Sequence, residues 1–583
     1  MADEDGDDEA EEDRRLLNVS TNRNRRNASP YFLHLNSVCC CSIPKVCGTQ
    51  NCRDSSIVMP FSLGFMAGIT MCMILLLIIF RPPFSYSSFL LSRENAKSNL
   101  EDDEKAWLER IVELGDKKIH QQTLKPVDIE QKVTKTLTLT TTTTPTLRRL
   151  FAWPSDLTPR IECASLFDSD ESVRKSYLKK IGGENRFTYD EDKDKQKSLD
   201  MSCEAIRQRH YFAKQPMSQE EADFPVAYAR IVYRDYRFLE TEFATEFTSQ
   251  NMFCFAIDEK APKLFHERIG TLAKCFPKNV IITKHEYSVD SAGHNMGYSH
   301  LQCFRRLIEF DKNWKYVFNL QNHDVQIRTN QELVQILRWF NSANDVEVYP
   351  PPNNRVDWNM NWTLASLHIF RNETLSRMSG NLLNSNGTHN ASAVRMNLAK
   401  GLVESSLSRT AIEYMLNQLN LTQFMKQLET NRYGIDELWL PSLQATDDLH
   451  LPGGFTSECL RRGISTGSVT RYTLWYDSKN CGSGHMRHNL CVFGVEDLAK
   501  TVAQLPHLFL NKFMPTIDFG ASLCWHEFMY NRTYLDRGVH RLLPEIYQTL
   551  PHVRFQSEKA TLGDDFSKFN CTYAAYNLLH SKK

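Results

Sequence analysis

The segment Ile57–Phe80 (IVMPFSLGFMAGITMCMILLLIIF) constrains this chain more than any other feature. It runs for 24 residues without a charge, against the roughly 20 that cross a bilayer as a helix. A cleaved signal peptide is shorter and opens the chain, whereas this run begins after 56 residues. The other soluble reading is a buried core helix. Arg23, Arg25, Arg26, Lys45 and Arg53 precede the run, and Arg81 stands alone after it until Arg93. Basic residues stay on the cytosolic side, so a single-pass type II membrane protein is expected. Residues 1–56 are then a disordered cytosolic tail, 57–80 the signal-anchor helix, and the rest lumenal or extracellular.

The cysteines divide along the same line. Cys39, Cys40, Cys41, Cys47, Cys52 and Cys72 lie in the tail and anchor, and ten follow: Cys163, Cys203, Cys254, Cys275, Cys303, Cys459, Cys481, Cys491, Cys524 and Cys571. An even number in an oxidising compartment points to disulfides. Cys39–Cys41 suit either palmitoylation beside a membrane or free cytosolic thiols; Cys47 and Cys52 lack the second pair that a zinc site needs. N-x-S/T sequons stand at Asn361, Asn372, Asn386, Asn390, Asn420, Asn531 and Asn570, all beyond the anchor. Asn18 and Asn27 match too, but fall on the cytosolic side.

Residues 81–160 read as a stem. Glu94–His120 is charged with sparse apolar positions, an exposed or self-associating helix that would allow a homo-oligomer. Thr134–Thr146 is Thr-rich with a proline, either an O-glycosylated spacer or a plain linker. Over the whole chain 69 Lys and Arg offset 70 Asp and Glu, which argues against a nucleic-acid partner.

Residues 161–583 form the expected catalytic domain. From residue 224 strands alternate with helices: Phe224–Tyr233, Met252–Asp258, Val280–Thr283 and Lys315–Leu320 read as strands, and Pro262–Lys274, Tyr298–Phe310 and Gln331–Phe340 as helices. This is an α/β pattern with a mostly parallel sheet. Ligands bind beyond the carboxyl ends of such strands, which directs attention to Asp258 and to Asn322-His323-Asp324. The chain has no P-loop and no Rossmann fingerprint, and no H-E-x-x-H.

Four clusters carry potential chemistry. Tyr433-Gly-Ile-Asp436-Glu437-Leu-Trp439 sets two carboxylates beside an aromatic, suiting a general base or a helix N-terminus. Cys481–Cys491 (CGSGHMRHNLC) reads as a short disulfide loop around Arg487 rather than a zinc site. Lys512 sits among apolar neighbours, as a functional cation or a snorkelling surface lysine. Trp475 and Tyr476 suit sugar stacking or core packing.

The order FPVAYARIVY, FCFAID, NWKYVFNLQNHDVQIRTN, YGIDELW, HMRHNLCVFGVEDL, LFLNKF resembles the core-2/I-branching β-1,6-N-acetylglucosaminyltransferases, over about Cys163 to Cys524. The resemblance implies a GT-A-like nucleotide-sugar transferase domain that inverts the donor anomer without a metal ion or other cofactor. The D-x-D pairs here, Asp168/Asp170 and Asp190/Asp192/Asp194, all lie upstream of the first strand. By the same resemblance Glu437 is the catalytic base, Arg487 and Lys512 hold the diphosphate, and Asp258 contacts the nucleoside, with Val232 at the end of the neighbouring strand. Implied disulfides are Cys163–Cys524, Cys203–Cys275, Cys254–Cys303 and Cys481–Cys491, with Cys459 and Cys571 left over, a pair the sequence alone does not fix.

The implied reaction moves GlcNAc from UDP-GlcNAc in β-1,6 linkage onto a glycan or glycoprotein acceptor, in the Golgi membrane with the domain in the lumen. The acceptor side departs from the family pattern. Glu347 matches its glutamate loosely, the basic residues after it do not align, Gly401-Leu402-Val403 stands for its G-S-A segment, and Trp475 and Tyr476 differ in spacing. Another UDP-sugar or a protein acceptor is the related alternative. A silent lectin-like scaffold is the third reading, against which Glu437, Arg487 and Lys512 all speak.

Overall fold

Val226–Val232 (VAYARIV) is buried along its whole length, so both of its faces must be covered. Side chains alternate across a strand: Val226, Tyr228 and Val232 enter one hydrophobic core, and Ala227, Ala229 and Ile231 the other. This strand, β1, is the middle of the central sheet. In this computed structural model the described residues are Trp153, Leu157 and 160–573, except 192–198, 312, 373–393, 477–478, 537–541 and 564. They belong to the second of two units, Thr141–Lys583. Residues 1–56, expected as a cytosolic tail, the candidate span Ile57–Phe80, the Thr-rich stretch, Asn386 and Asn390 lie outside the described residues. Among the described residues no helix is long and apolar enough to cross a membrane.

Around β1 stand β2 (Met252–Ile257), β3 (Val280–Ile282), β4 (Tyr316–Leu320) and β6 (Ser405–Ser408), in the order β3-β2-β1-β4-β6. The first four are mutually parallel, with Ala227 opposite Met252 and Val226 opposite Tyr316. Only β6 runs antiparallel, against β4. The strand and helix positions expected from periodicity are occupied to within two residues at each end. Helices α1 (Tyr236–Glu246), α2 (Lys263–Cys275) and α3 (Met296–Phe310) make the crossovers. The small Ala227 and Ala229 let α3 pack close, and the Cys254–Cys303 disulfide fastens β2 to it. Helix α4 (Asn330–Phe340) begins with a capping box of Thr329 and Glu332, which satisfies two otherwise orphaned backbone donors.

The chain builds β2 and β3 on one side of β1, then crosses to β4 on the other. The order therefore reverses between β1 and β4, and the crevice at their carboxyl ends is where ligands bind in such sheets. A buried arginine sets that edge. Arg230 pairs with Glu246 and donates to the carbonyls of Gln321 (3.0 Å) and Asp324 (2.8 Å). It thereby fixes the turn from β4 into β5 (Asp324–Gln326).

A second sheet, β5-β10-β7, joins β7 (Arg471–Thr473) and β10 (Phe509–Asn511) to that turn. A small hairpin pairs β8 (Met486–Arg487) with β9 (Leu490–Cys491). The four disulfides implied by resemblance are formed, and Cys459–Cys571 is the fifth. Cys163–Cys524 ties the start of the domain to helix α6 (Pro515–Tyr534) across 361 residues. Cys459–Cys571 closes a small core of Phe455, Phe555 and Phe569. Asp168 and Asp170 serve the cap of a surface helix: Asp170 accepts the Ser172 amide at 2.8 Å, and Asp168 accepts that of Asp170.

Candidate active site

Three groups of side chains converge on the carboxyl ends of the parallel strands. The first follows β1, β2 and β4. Asp258, just past β2, is buried, and its amide donates to the Val232 carbonyl at 3.0 Å. Its Oδ1 accepts from the amides of Lys260 (3.0 Å) and Val289 (3.3 Å). Val232 and Asp258 thus lie side by side. At the switch point, Asn322 Oδ1 accepts the amides of Tyr233 (2.8 Å) and Arg234 (3.3 Å), stitching β1 to β4. His323 beside it pairs with Asp235 at 2.8 Å. Burial holds this imidazole below its ordinary value; Asp235 works against that, while the nearby cations Lys512 and Arg234 reinforce it.

The second group follows β7, the hairpin and β10. The hairpin loop is closed by Cys481–Cys491. Asp497 accepts from the amides of Gly482, Ser483 and Gly494. Arg186, from far earlier in the chain, donates to the Ser483 carbonyl at 2.8 Å and lies 2.8 Å from His485 Nε2. This framework presents the half-buried Arg487. Trp475 bridges to Leu490, and Tyr476 donates its amide to the Asn489 carbonyl at 2.9 Å. Their rings stack at 5.9 Å and are 40% and 75% exposed, so neither packs a core. Lys512 follows β10, and its carbonyl accepts the Phe493 amide at 3.0 Å, joining its segment to the same framework. Lys512 is half-buried.

The third group surrounds Glu437. Helix α5 (Asp436–Gln444) starts at the carboxylate pair, so both residues occupy a first turn and the macrodipole favours their charge. Glu437 nonetheless points at cations from other segments. Lys400 Nζ lies 2.7 Å from its Oε2 and Arg355 Nη2 3.5 Å from the same oxygen. The Arg355 guanidinium also lies 4.6 Å from the centre of the half-exposed Tyr433 ring. Glu347 faces this group, and burial pushes its carboxyl up to about 6 against the pull of Lys400 and Arg471.

Glycines allow these approaches. At Gly401 a Cβ would fall 1.9 Å from the Glu347 carbonyl oxygen. Gly434 has φ +65°, and a Cβ there would meet Arg355 at 2.0 Å.

Two links hold the groups together. The loop after β3 contacts Asp258 through Val289 and reaches the segment leading into α5, where Ala292 accepts the Gly434 amide at 2.7 Å. Arg471, buried at the start of β7, lies 3.4 Å from Asp324 and 2.5 Å from Glu404. Asp324 in turn accepts from the Asn511 side chain at 2.9 Å. Among the described residues no group of three or more metal-ligating side chains occurs.

Lys400, Tyr349, Arg471 and the His323–Asp235 pair escape sequence reasoning, because each lies far in sequence from its partner. Arg355 sits in the segment that does not align with the family. The sequons Asn361, Asn372 and Asn570 are exposed, and Asn420 and Asn531 half-buried. At Asn361, Asn420 and Asn570 the side chain accepts the amide of the sequon threonine.

A family model described as Core-2/I-Branching enzyme matches residues 226–502, from β1 past the hairpin. The chain is 27% identical over 346 residues to β-1,3-galactosyl-O-glycosyl-glycoprotein β-1,6-N-acetylglucosaminyltransferase 3 of Rattus norvegicus, covering 58% of this chain and 75% of that protein. It is 25% identical over 345 residues to the Homo sapiens protein of the same name, covering 57% and 74%. A Bos taurus β-1,3-galactosyl-O-glycosyl-glycoprotein β-1,6-N-acetylglucosaminyltransferase shares 26% over 340 residues, covering 57% and 75%. Residues 226–502, which carry the three side-chain groups except Arg186 and Lys512, therefore match the core-2/I-branching enzyme family, and the protein is a glycosyltransferase.

Proposed function

We propose that the protein transfers GlcNAc from UDP-GlcNAc in β-1,6 linkage to an O-glycan acceptor, with inversion and without a metal ion, as a type II protein of the Golgi membrane. Val232 and Asp258 hold the nucleoside at the strand ends. Arg487 and Lys512 neutralise the diphosphate, a task that falls to fixed cations when no divalent metal is bound. Glu347, Trp475 and Tyr476 receive the acceptor sugar, with the two exposed rings offering apolar faces.

In the reaction the acceptor oxygen bonds to the anomeric carbon as the carbon–oxygen bond to the β-phosphate breaks. The bonding pair leaves with UDP, and the hydroxyl proton passes to Glu437. Attack opposite the leaving group turns an α-linked donor into a β-linked product. The observation that carries this reading is the placement of Glu437. It stands in the first turn of α5, where Lys400 and Arg355 from two other segments meet its carboxylate.

The test is a panel of UDP-sugars and glycan acceptors with the detergent-solubilised chain in excess EDTA. UDP-GlcNAc turnover is expected, lowered by about 100-fold or more in Glu437→Gln with UDP affinity retained. Strict metal dependence, or full turnover by the variant, would refute the mechanism. Turnover of a different UDP-sugar would retain the mechanism and change the donor.

A further inference from the structure

We infer that Lys400 is a positioning residue for the reaction: it grips one oxygen of Glu437 and leaves the other to the acceptor. The inference rests on reading Glu437 as the base. Both cations near this carboxylate, Lys400 at 2.7 Å and Arg355 at 3.5 Å, approach Oε2. Both approaches are ion pairs, and among the described residues Oε1 makes none. A carboxylate held by one oxygen keeps a single rotamer and presents the other in a fixed direction. Proton transfer demands such alignment.

The backbone fixes Lys400 for this task. Lys400 and Tyr349 exchange both amide–carbonyl hydrogen bonds, at 2.9 and 2.8 Å. The next residue, Gly401, donates its amide to the Glu437 carbonyl at 2.9 Å. Lys400 is thereby bracketed between the strand-like segment of Tyr349 and the first turn of α5. Its ammonium also donates to the Tyr349 hydroxyl at 2.5 Å, so two contacts determine where Nζ sits. The lysine side chain is 10% exposed. Burial opposes its charge, but Glu437 and Tyr349 together hold its proton more tightly than usual. It stays a cation through the neutral range.

The groups facing Glu437 are Lys400 and Arg355 at its carboxylate, Asp436 before it on the helix, and Glu347 and Tyr349 on the adjoining segment. Without Lys400 the free oxygen of Glu437 is no longer aimed.

The experiment compares Lys400→Met, Lys400→Arg and Tyr349→Phe with the unaltered full chain and with Glu437→Gln, measuring kcat and both KM values across pH. Lys400→Met should lower kcat by about 10- to 100-fold with donor KM unchanged. Lys400→Arg should restore part of kcat, and Tyr349→Phe should give a smaller loss of the same kind. UDP affinity and melting temperature report folding; if Lys400→Met does not fold, the other two variants carry the test. Unchanged kcat, no rescue by Lys400→Arg, or a loss confined to acceptor KM would overturn the inference, the last making Lys400 an acceptor-binding cation. If Glu437→Gln turns over normally, the base reading itself fails. If Glu437→Gln is inactive while Lys400→Met keeps full kcat, only the role of Lys400 fails.

Discussion

Asp436 should make the stability of this domain fall as pH rises through neutrality, and Asp436→Asn should remove that fall. The side chain opens α5, is 9% exposed, and has its carboxyl pushed from 3.8 up to about 7, first by burial and then by the adjacent Glu437. A group that holds its proton more tightly folded than unfolded stabilises the fold fully below the unfolded value. That contribution is lost as pH rises through the folded one. The interval from 3.8 to about 7, at about 1.36 kcal/mol per pH unit, caps the loss at ~4 kcal/mol. Between about pH 5 and pH 8 roughly 3 kcal/mol of it should appear.

Asparagine has the shape of the protonated acid and no proton to lose. The gap between variant and parent should therefore widen in favour of the variant by about 3 kcal/mol over that range. Urea unfolding of the Thr141–Lys583 unit, followed by tryptophan fluorescence at each pH, measures it. Other titrating groups are common to both proteins and cancel in the difference. A gap that stays constant with pH would show that Asp436 is ionised in the fold, and that Arg471 and Lys400 outweigh its burial.

Arg471→Met should cost about 3–5 kcal/mol in the same urea assay, because it strips the cation from the buried Asp324 and Glu404. Replacing Cys481 and Cys491 together by serine opens a loop of sequence separation 10, a chain-entropy loss of about 2–3 kcal/mol. Calorimetry should show weaker UDP binding in that variant, since Arg487 loses part of its framework; unchanged affinity would move the diphosphate away from Arg487.

The chain order of strands and helices was legible because β1, β2 and β4 are buried on both faces and read as apolar runs interrupted only by Arg230 and Asn319. Asp258 could be placed for the same reason: it is the first polar residue after such a run. The turn at Asn322 was legible as a location but not as a device. Nothing in the sequence says that its side chain ties down Tyr233 and Arg234. For Asp436 and Glu437 the two readings, helix start and functional carboxylates, prove compatible. A first turn is where the macrodipole tolerates two adjacent acids, and Glu437 turns from it toward Lys400.

Local chemistry by itself determined several things about this protein. Hydropathy marked a candidate span, strand periodicity an α/β core, and the short Cys481–Cys491 spacing a loop around Arg487. These are properties of neighbouring residues. Only the tertiary structure decided which distant segments meet. It set Lys400 between Tyr349 and Glu437, Arg186 behind the hairpin loop, Arg471 between Asp324 and Glu404, and Cys459 against Cys571. Each contact joins side chains tens to hundreds of residues apart. Their proximity depends on how the crossovers and the second sheet pack, which no local pattern encodes.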